Sequence, residues 1–150
     1  MTSLADFLSD NDKSQLARQT IKIGDVYQIA MNQANGITPK NGDAFRNKFF
    51  VVLGFDEYGN AYGGVVINSN INLYTPPALR YYYMPIKSSK YSFLNYDSFV
   101  DCTTLKVVNI SKFSEWVYLG KIDVEDVGLI IGTIKESPRE NEAHLSMYGI

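Results

Sequence analysis

Histidine and cysteine are almost missing from this chain of 150 residues, which holds one of each. The lone cysteine, Cys102, excludes an intramolecular disulfide framework and gives no argument for export. It falls in a predicted strand with no activating neighbour at fixed spacing, so it reads as a buried small hydrophobe. The lone histidine, His144, lies in an acidic tail beside Glu140 and Glu142. That is thin ground for metal binding or general-base chemistry. No metal cluster, phosphate-cradling glycine loop or catalytic triad can be read, so no metal and no cofactor are expected. No apolar run approaches the ~18 residues of a membrane span, and no signal-peptide apolar region opens the chain. A cytoplasmic location without membrane association is the expectation.

Charge of one sign is also scarce. The net charge of −2 argues against an indiscriminate nucleic-acid binder. The distribution is uneven, however. Residues 36–122 carry nine Lys and Arg against six Asp and Glu, while the two ends together carry five against ten. A mildly basic body with acidic ends leaves room for a local cationic groove.

What the chain does have is apolar residues at 45%, enough for one domain to close a core without disulfides or metals. Eleven tyrosines suit strands, and they also make surfaces on which a base or a peptide packs. Residues 3–19 place Leu4, Phe7, Leu8 and Leu16 at roughly helical spacing, with the polar run Ser9 to Asp12 as an interruption. Residues 25–31 read as the first strand, followed by a long loop with two glycines and a proline. Phe49 to Phe55 is an apolar run suited to a strand buried on both sides. Residues 56–60 form a turn and 61–68 the return strand, whose Gly63 and Gly64 suggest a bulge or the bend of a small barrel.

Further strands are predicted over 81–86, 99–102, 105–109 and 117–119, the middle two separated by a Thr-Thr step. Ser111 is read as the cap of a single turn through Trp116. Asp123 is the expected N-cap of a helix whose apolar face is Val124, Val127, Ile130, Ile131 and Ile134, stopped by Pro138. The tail 139–150 is expected as an edge strand or a mobile end. The organisation is thus a helical extension over 1–20, a mainly β body with a C-terminal helix over 21–138, and a tail over 139–150.

Arg46 and Lys48 are the sharpest site candidates. Alternation places both on one side of the strand they open. Asn68, Ser69 and Asn70 end the partner strand, and in a hairpin that end meets the start of the other. Cations beside hydroxyl and amide donors suit a phosphate. Asp97 and Ser98 lie just before a predicted strand and Asp101 inside it; Asp97 or Ser98 reads first as the cap of a turn, with a catalytic use as the alternative. The run Tyr81 to Tyr83 reads as strand, with Tyr82 as a stacking platform for unpaired bases.

The segments GDVY (24–27), KFFVVLG (48–54), the hairpin ending VVINS, DSFVDC (97–102) and GKIDVEDVGLIIGTIKESP (120–138) occur in an order that resembles the PemK/MazF-like superfamily, in a divergent, uncharacterised branch. The resemblance implies an SH3-like, strongly curved β-barrel with flanking helices. It also implies a homodimeric toxin of a toxin–antitoxin pair that cleaves single-stranded RNA without a metal, opposed by an antitoxin protein. The family's catalytic Arg-Pro pair corresponds here to Phe49 and Phe50, and its catalytic Thr to Asn68. A relocated site is therefore expected, with Arg46, Lys48, Asn68 and Ser69 in catalysis and Lys40, Tyr82 and Asn70 binding RNA. The alternative is a catalytically inactive barrel acting as a protein-interaction module.

Overall fold

The computed structural model describes residues 9–38 and 42–150. Its centre is the hairpin of β2 (Arg46–Phe55) and β3 (Ala61–Asn68), formed where the apolar run and the turn after it predict. Gly59 takes the left-handed position of that turn, at φ 70°. Around the hairpin stand β1 (Asp25–Met31), β4 (Tyr83–Ile86), β5 (Ser98–Asn109) and β6 (Val117–Lys121). They form one antiparallel six-stranded sheet in the order β4-β5-β3-β2-β1-β6. The two edges, β4 and β6, are not paired with each other. A mainly β fold is thus present, but the closed barrel expected from the sequence is not formed among the described residues.

β2 buries both of its faces, because the sheet carries apolar material on each side. Val51 and Leu53 face one core, shared with Ile130 and Ile134 of α3 (Val124–Glu136). Phe50 and Val52 face the other, shared with Ala17 of α1 (Asp10–Thr20) and with Ile21 at its end. Ile130 and Ile134 are fully buried, and each contributes roughly 1.5–3 kcal/mol by leaving water. Asp123 caps α3 as expected, accepting from the Asp126 N–H at 2.8 Å. The apolar face is narrower than its spacing suggests, since Val124 is 87% exposed.

Several sequence expectations change. The polar run Ser9 to Asp12 does not interrupt a helix; it starts one. Ser9 Oγ accepts from the Asp12 N–H at 3.1 Å while Asp12 accepts from the Ser9 N–H, a capping box that satisfies N–H groups left free at a helix start. Leu4, Phe7 and Leu8 lie outside the described residues, and Leu16 is 44% exposed. Tyr81 ends the short helix α2 (Pro77–Arg80), so β4 begins only at Tyr83. The cap before the 3-10 turn Ile110–Glu115 is Asn109, whose side chain accepts from the Ser111 N–H at 2.8 Å. The tail is neither a strand nor loose: Asn141 caps α4 (Glu142–Ser146), and Leu145 and Tyr148 are buried in the α3-side core. No helix among the described residues is long and apolar enough to cross a membrane.

β5 is one strand where two were predicted, and the Thr-Thr step is a break in its register. Gly64 faces Lys106 and Val66 faces Asp101, so two steps along β3 span five along β5. Such a bulge leaves backbone groups unpaired by the ladder. Here side chains take them. Asp101 Oδ1 accepts from the Thr103 N–H at 2.9 Å, Ser137 Oγ donates to the Thr103 carbonyl at 2.5 Å, and Glu140 Oε2 accepts from the Leu105 N–H at 2.7 Å. The segment after α3 is therefore fastened to the sheet by hydrogen bonds as well as by apolar packing.

Two glycines in different settings give opposite predictions. A Cβ at Gly54 would stand 2.1 Å from the Tyr148 carbonyl oxygen, so Gly54→Ala must displace the C-terminal segment. It should destabilise by about 1–3 kcal/mol in urea unfolding. A Cβ at Gly128 in α3 meets nothing within 4 Å, and Gly128→Ala should stabilise by about 0.5–1 kcal/mol.

Candidate functional site

One face of the sheet changes character along its length. On β2, Phe50 and Val52 are core, but the preceding residues on that face are Lys48 and Arg46. On β3, Val66 is core and Asn68 follows it; on β5, Asp101 pairs with Val66, and on β4, Tyr83 pairs with Asp101. Where the apolar residues stop, a cleft of about 620 Å³ opens, and Arg46, Lys48, Asn68, Ser69 and Asn70 all line it. Thus the hairpin argument from sequence holds in space. Phe49 pairs with Ile67, which brings the next residues together, and Lys48 Nζ donates to Asn68 Oδ1.

Lys48 is only 9% exposed, so its charge is presented from a fixed position beside Asn68. Arg46 Nη1 donates to the Thr38 carbonyl at 3.4 Å, which draws the guanidinium to the mouth of the cleft. A third cation, Lys106, reaches the same space from the far side of the β5 bulge and donates to Thr104 Oγ1 at 2.8 Å. Asp101 is the only carboxylate lining the cleft among the described residues. Its Oδ1 accepts from both the N–H and the hydroxyl of Thr103, the latter at 2.6 Å. Burial first, and the Asp101 charge second, push the Tyr83 hydroxyl above its ordinary pKa, so it stays a neutral donor. Tyr96, 61% exposed, stands on the rim.

Not every candidate falls here. Lys40 lies outside the described residues. Tyr82 is not a lining residue: it lies in the turn before β4, and its carbonyl accepts from the Cys102 N–H at 2.9 Å. Phe50 is fully buried in the core, and Phe49 packs on Phe93 with ring centroids 6.3 Å apart. Neither can hold a phosphate. Sequence reasoning missed Lys106, placed Tyr83 only in the tyrosine run, and gave Asp101 no role of its own, because the β5 bulge between Asp101 and Lys106 has no local signature.

The remaining candidates play structural parts. Asp97 accepts from the Ser88 N–H at 2.9 Å and the Ser88 hydroxyl at 3.0 Å, which hold its carboxyl below the usual range. Cys102 is fully buried, and burial pushes its thiol up to about 12, so it does not present a thiolate. His144 Nδ1 lies 2.6 Å from Glu140 Oε1, in the group that fastens the bulge. Among the described residues, no three of His, Cys, Asp and Glu gather as a metal site would require. The chain matches no protein-family model and no curated protein.

Glu140 links the C-terminal segment to the strand that carries Asp101 and Lys106. Burial opposes its charge, but the Leu105 N–H, His144 and the Asn141 N–H together hold its carboxyl below the usual range. A depressed carboxyl adds stability that is fully present above the unfolded-state pKa and lost as pH falls through the folded one. Glu140→Gln should therefore cost about 1.5–3 kcal/mol at pH 7. The gap from wild type should close as pH falls through the carboxylate range, measured by urea unfolding across pH.

Proposed function

We propose that this cleft binds single-stranded RNA and cleaves it without a metal, and that the protein is a divergent relative of the PemK/MazF-like toxins. The observation that carries the reading is the convergence of Arg46, Lys48 and Lys106 around one carboxylate, Asp101, in a single cleft. A phosphodiester offers the negative charge such a group of cations attracts, and an attacking 2′-hydroxyl needs a proton acceptor. In the proposed reaction Asp101 takes the proton of the 2′-hydroxyl as that oxygen attacks the adjacent phosphorus. The bond from phosphorus to the 5′-oxygen breaks, and the departing oxygen takes a proton from Lys48 or from the Ser69 hydroxyl. Arg46 and Lys106 stabilise the charge that builds on the phosphoryl oxygens, Asn68 steadies Lys48, and Asn70 and Tyr96 contact the flanking nucleotide.

The kinship to the SH3-like barrel of that superfamily belongs to the same proposal. Register breaks between Val26 and Tyr27, between Val52 and Gly54, and between Gly64 and Val66 each add local twist, which supports a strongly curved sheet. An antitoxin-like partner and a homodimer are further elements of the reading.

A second reading has an observation of its own. Leu73, Tyr74 and Tyr81 are 85%, 93% and 87% exposed in the connection between β3 and β4. A catalytically silent barrel that docks a protein partner would use such residues. Salt separates the two readings. If three cations meet phosphates, the association constant for single-stranded RNA falls with salt at a log–log slope of about −2. Arg46→Ala and Lys106→Ala should each slow RNA cleavage by about 10²–10³-fold. Both surface changes should leave stability within about 0.5 kcal/mol. Unchanged cleavage in either variant would remove that residue from the site, and salt-independent binding to protein alone would favour the second reading.

A further inference from the structure

A second cleft of about 470 Å³ adjoins the first, and Asn47 lines both. Its walls include Phe45, Trp116 and Lys112, with Glu115 as its one carboxylate among the described residues. Phe45 is 48% exposed, and Lys112 Nζ stands 5.6 Å from the centre of its ring. Trp116 is held from behind by Tyr27, Phe113 and Tyr62, whose ring centroids lie 5.6, 5.6 and 6.4 Å away. The cleft thus combines an exposed cation, a half-exposed ring and a ring packed among others. Phe45 and Arg46 are consecutive, so the chain that delivers a cation to one cleft delivers an aromatic face to the other.

We infer that this second cleft seats a base next to the scissile phosphate, stacked between Phe45 and Trp116, with Lys112 on the following phosphate. The inference rests on the RNA reading above and adds a length requirement to it. A dinucleotide fills the cation-lined cleft alone; a longer strand enters both. Stacking on aromatic rings tolerates every base, so the subsite contributes affinity more than sequence preference.

Trp116 is the only tryptophan of the chain, and its emission reports on this cleft directly. The test uses the full chain with 2′-O-methyl RNA, which lacks the attacking hydroxyl, as a dinucleotide and as an octanucleotide. Binding is read by anisotropy of a dye on the RNA, and Trp116 emission is read in parallel. The octanucleotide should bind and quench Trp116, whereas the dinucleotide should bind without quenching. Phe45→Ala should weaken octanucleotide binding about tenfold and leave dinucleotide binding within about twofold. Lys112→Ala should act in the same direction and reduce the salt slope by about 0.7. Octanucleotide binding that is lost in Arg46→Ala, but leaves Trp116 emission and Phe45→Ala affinity unchanged, overturns the inference and leaves the RNA reading standing. Failure of both oligonucleotides to bind a folded protein overturns the RNA reading, and this inference with it.

Discussion

The break in register between β3 and β5 governs much of this molecule. Between Val66 and Gly64 the ladder takes up extra residues on β5, and the displaced backbone must find hydrogen bonds elsewhere. It finds them in Asp101 on the same strand and in Ser137 and Glu140 beyond α3. Unpaired, each buried group would cost about 1–3 kcal/mol, so these side chains supply the bonds that the ladder cannot along this part of the strand. The requirement ties the C-terminal segment to the sheet and orients the residues on both sides of the bulge. Asp101 lies before it and Lys106 after it, and both reach the same cleft.

The cleft is the polar continuation of a buried sheet face. Because the pleat alternates, each strand that contributes Phe50, Val66 or Val52 to the core must carry its neighbours on that face past the core's edge. There the residues are Lys48, Arg46 and Asn68. Hydrogen bonds to Asn68, the Thr38 carbonyl and Thr104 position the three cations above a buried apolar base, so the phosphate of the proposed substrate would meet charges already in place.

How much of this was legible from sequence depends on how local each cause is. The β2–β3 hairpin follows from adjacent residues and its turn, so the approach of Lys48 to Asn68 is written into the local sequence. The Asp123 cap and the Ile130–Ile134 stripe are equally local. By contrast, the continuity of β5 depends on Ser137 and Glu140, more than thirty residues away, and nothing in the Thr-Thr step announces them. Lys106 was missed for that reason. The polar run Ser9 to Asp12 was misread because capping residues and helix interruptions have the same composition; only the reciprocal hydrogen bonds tell them apart. The tail was misread because Leu145 and Tyr148 are too few to show a period, although they complete the α3-side core. Phe49 and Phe50 were read from sequence as strand residues, and in the fold Phe50 is fully buried and Phe49 packs on Phe93.

The central claim is that one cleft carries out in-line attack by a 2′-hydroxyl, with Asp101 accepting its proton. The end chemistry of the fragments from a long single-stranded RNA, cut in the presence of EDTA, tests it most directly. The account predicts cleavage that persists in EDTA and leaves a cyclic phosphate on one side and a free 5′-hydroxyl on the other, with Asp101→Asn inactive. Fragments bearing 5′-phosphates, cleavage abolished by EDTA, or full activity in Asp101→Asn would contradict it.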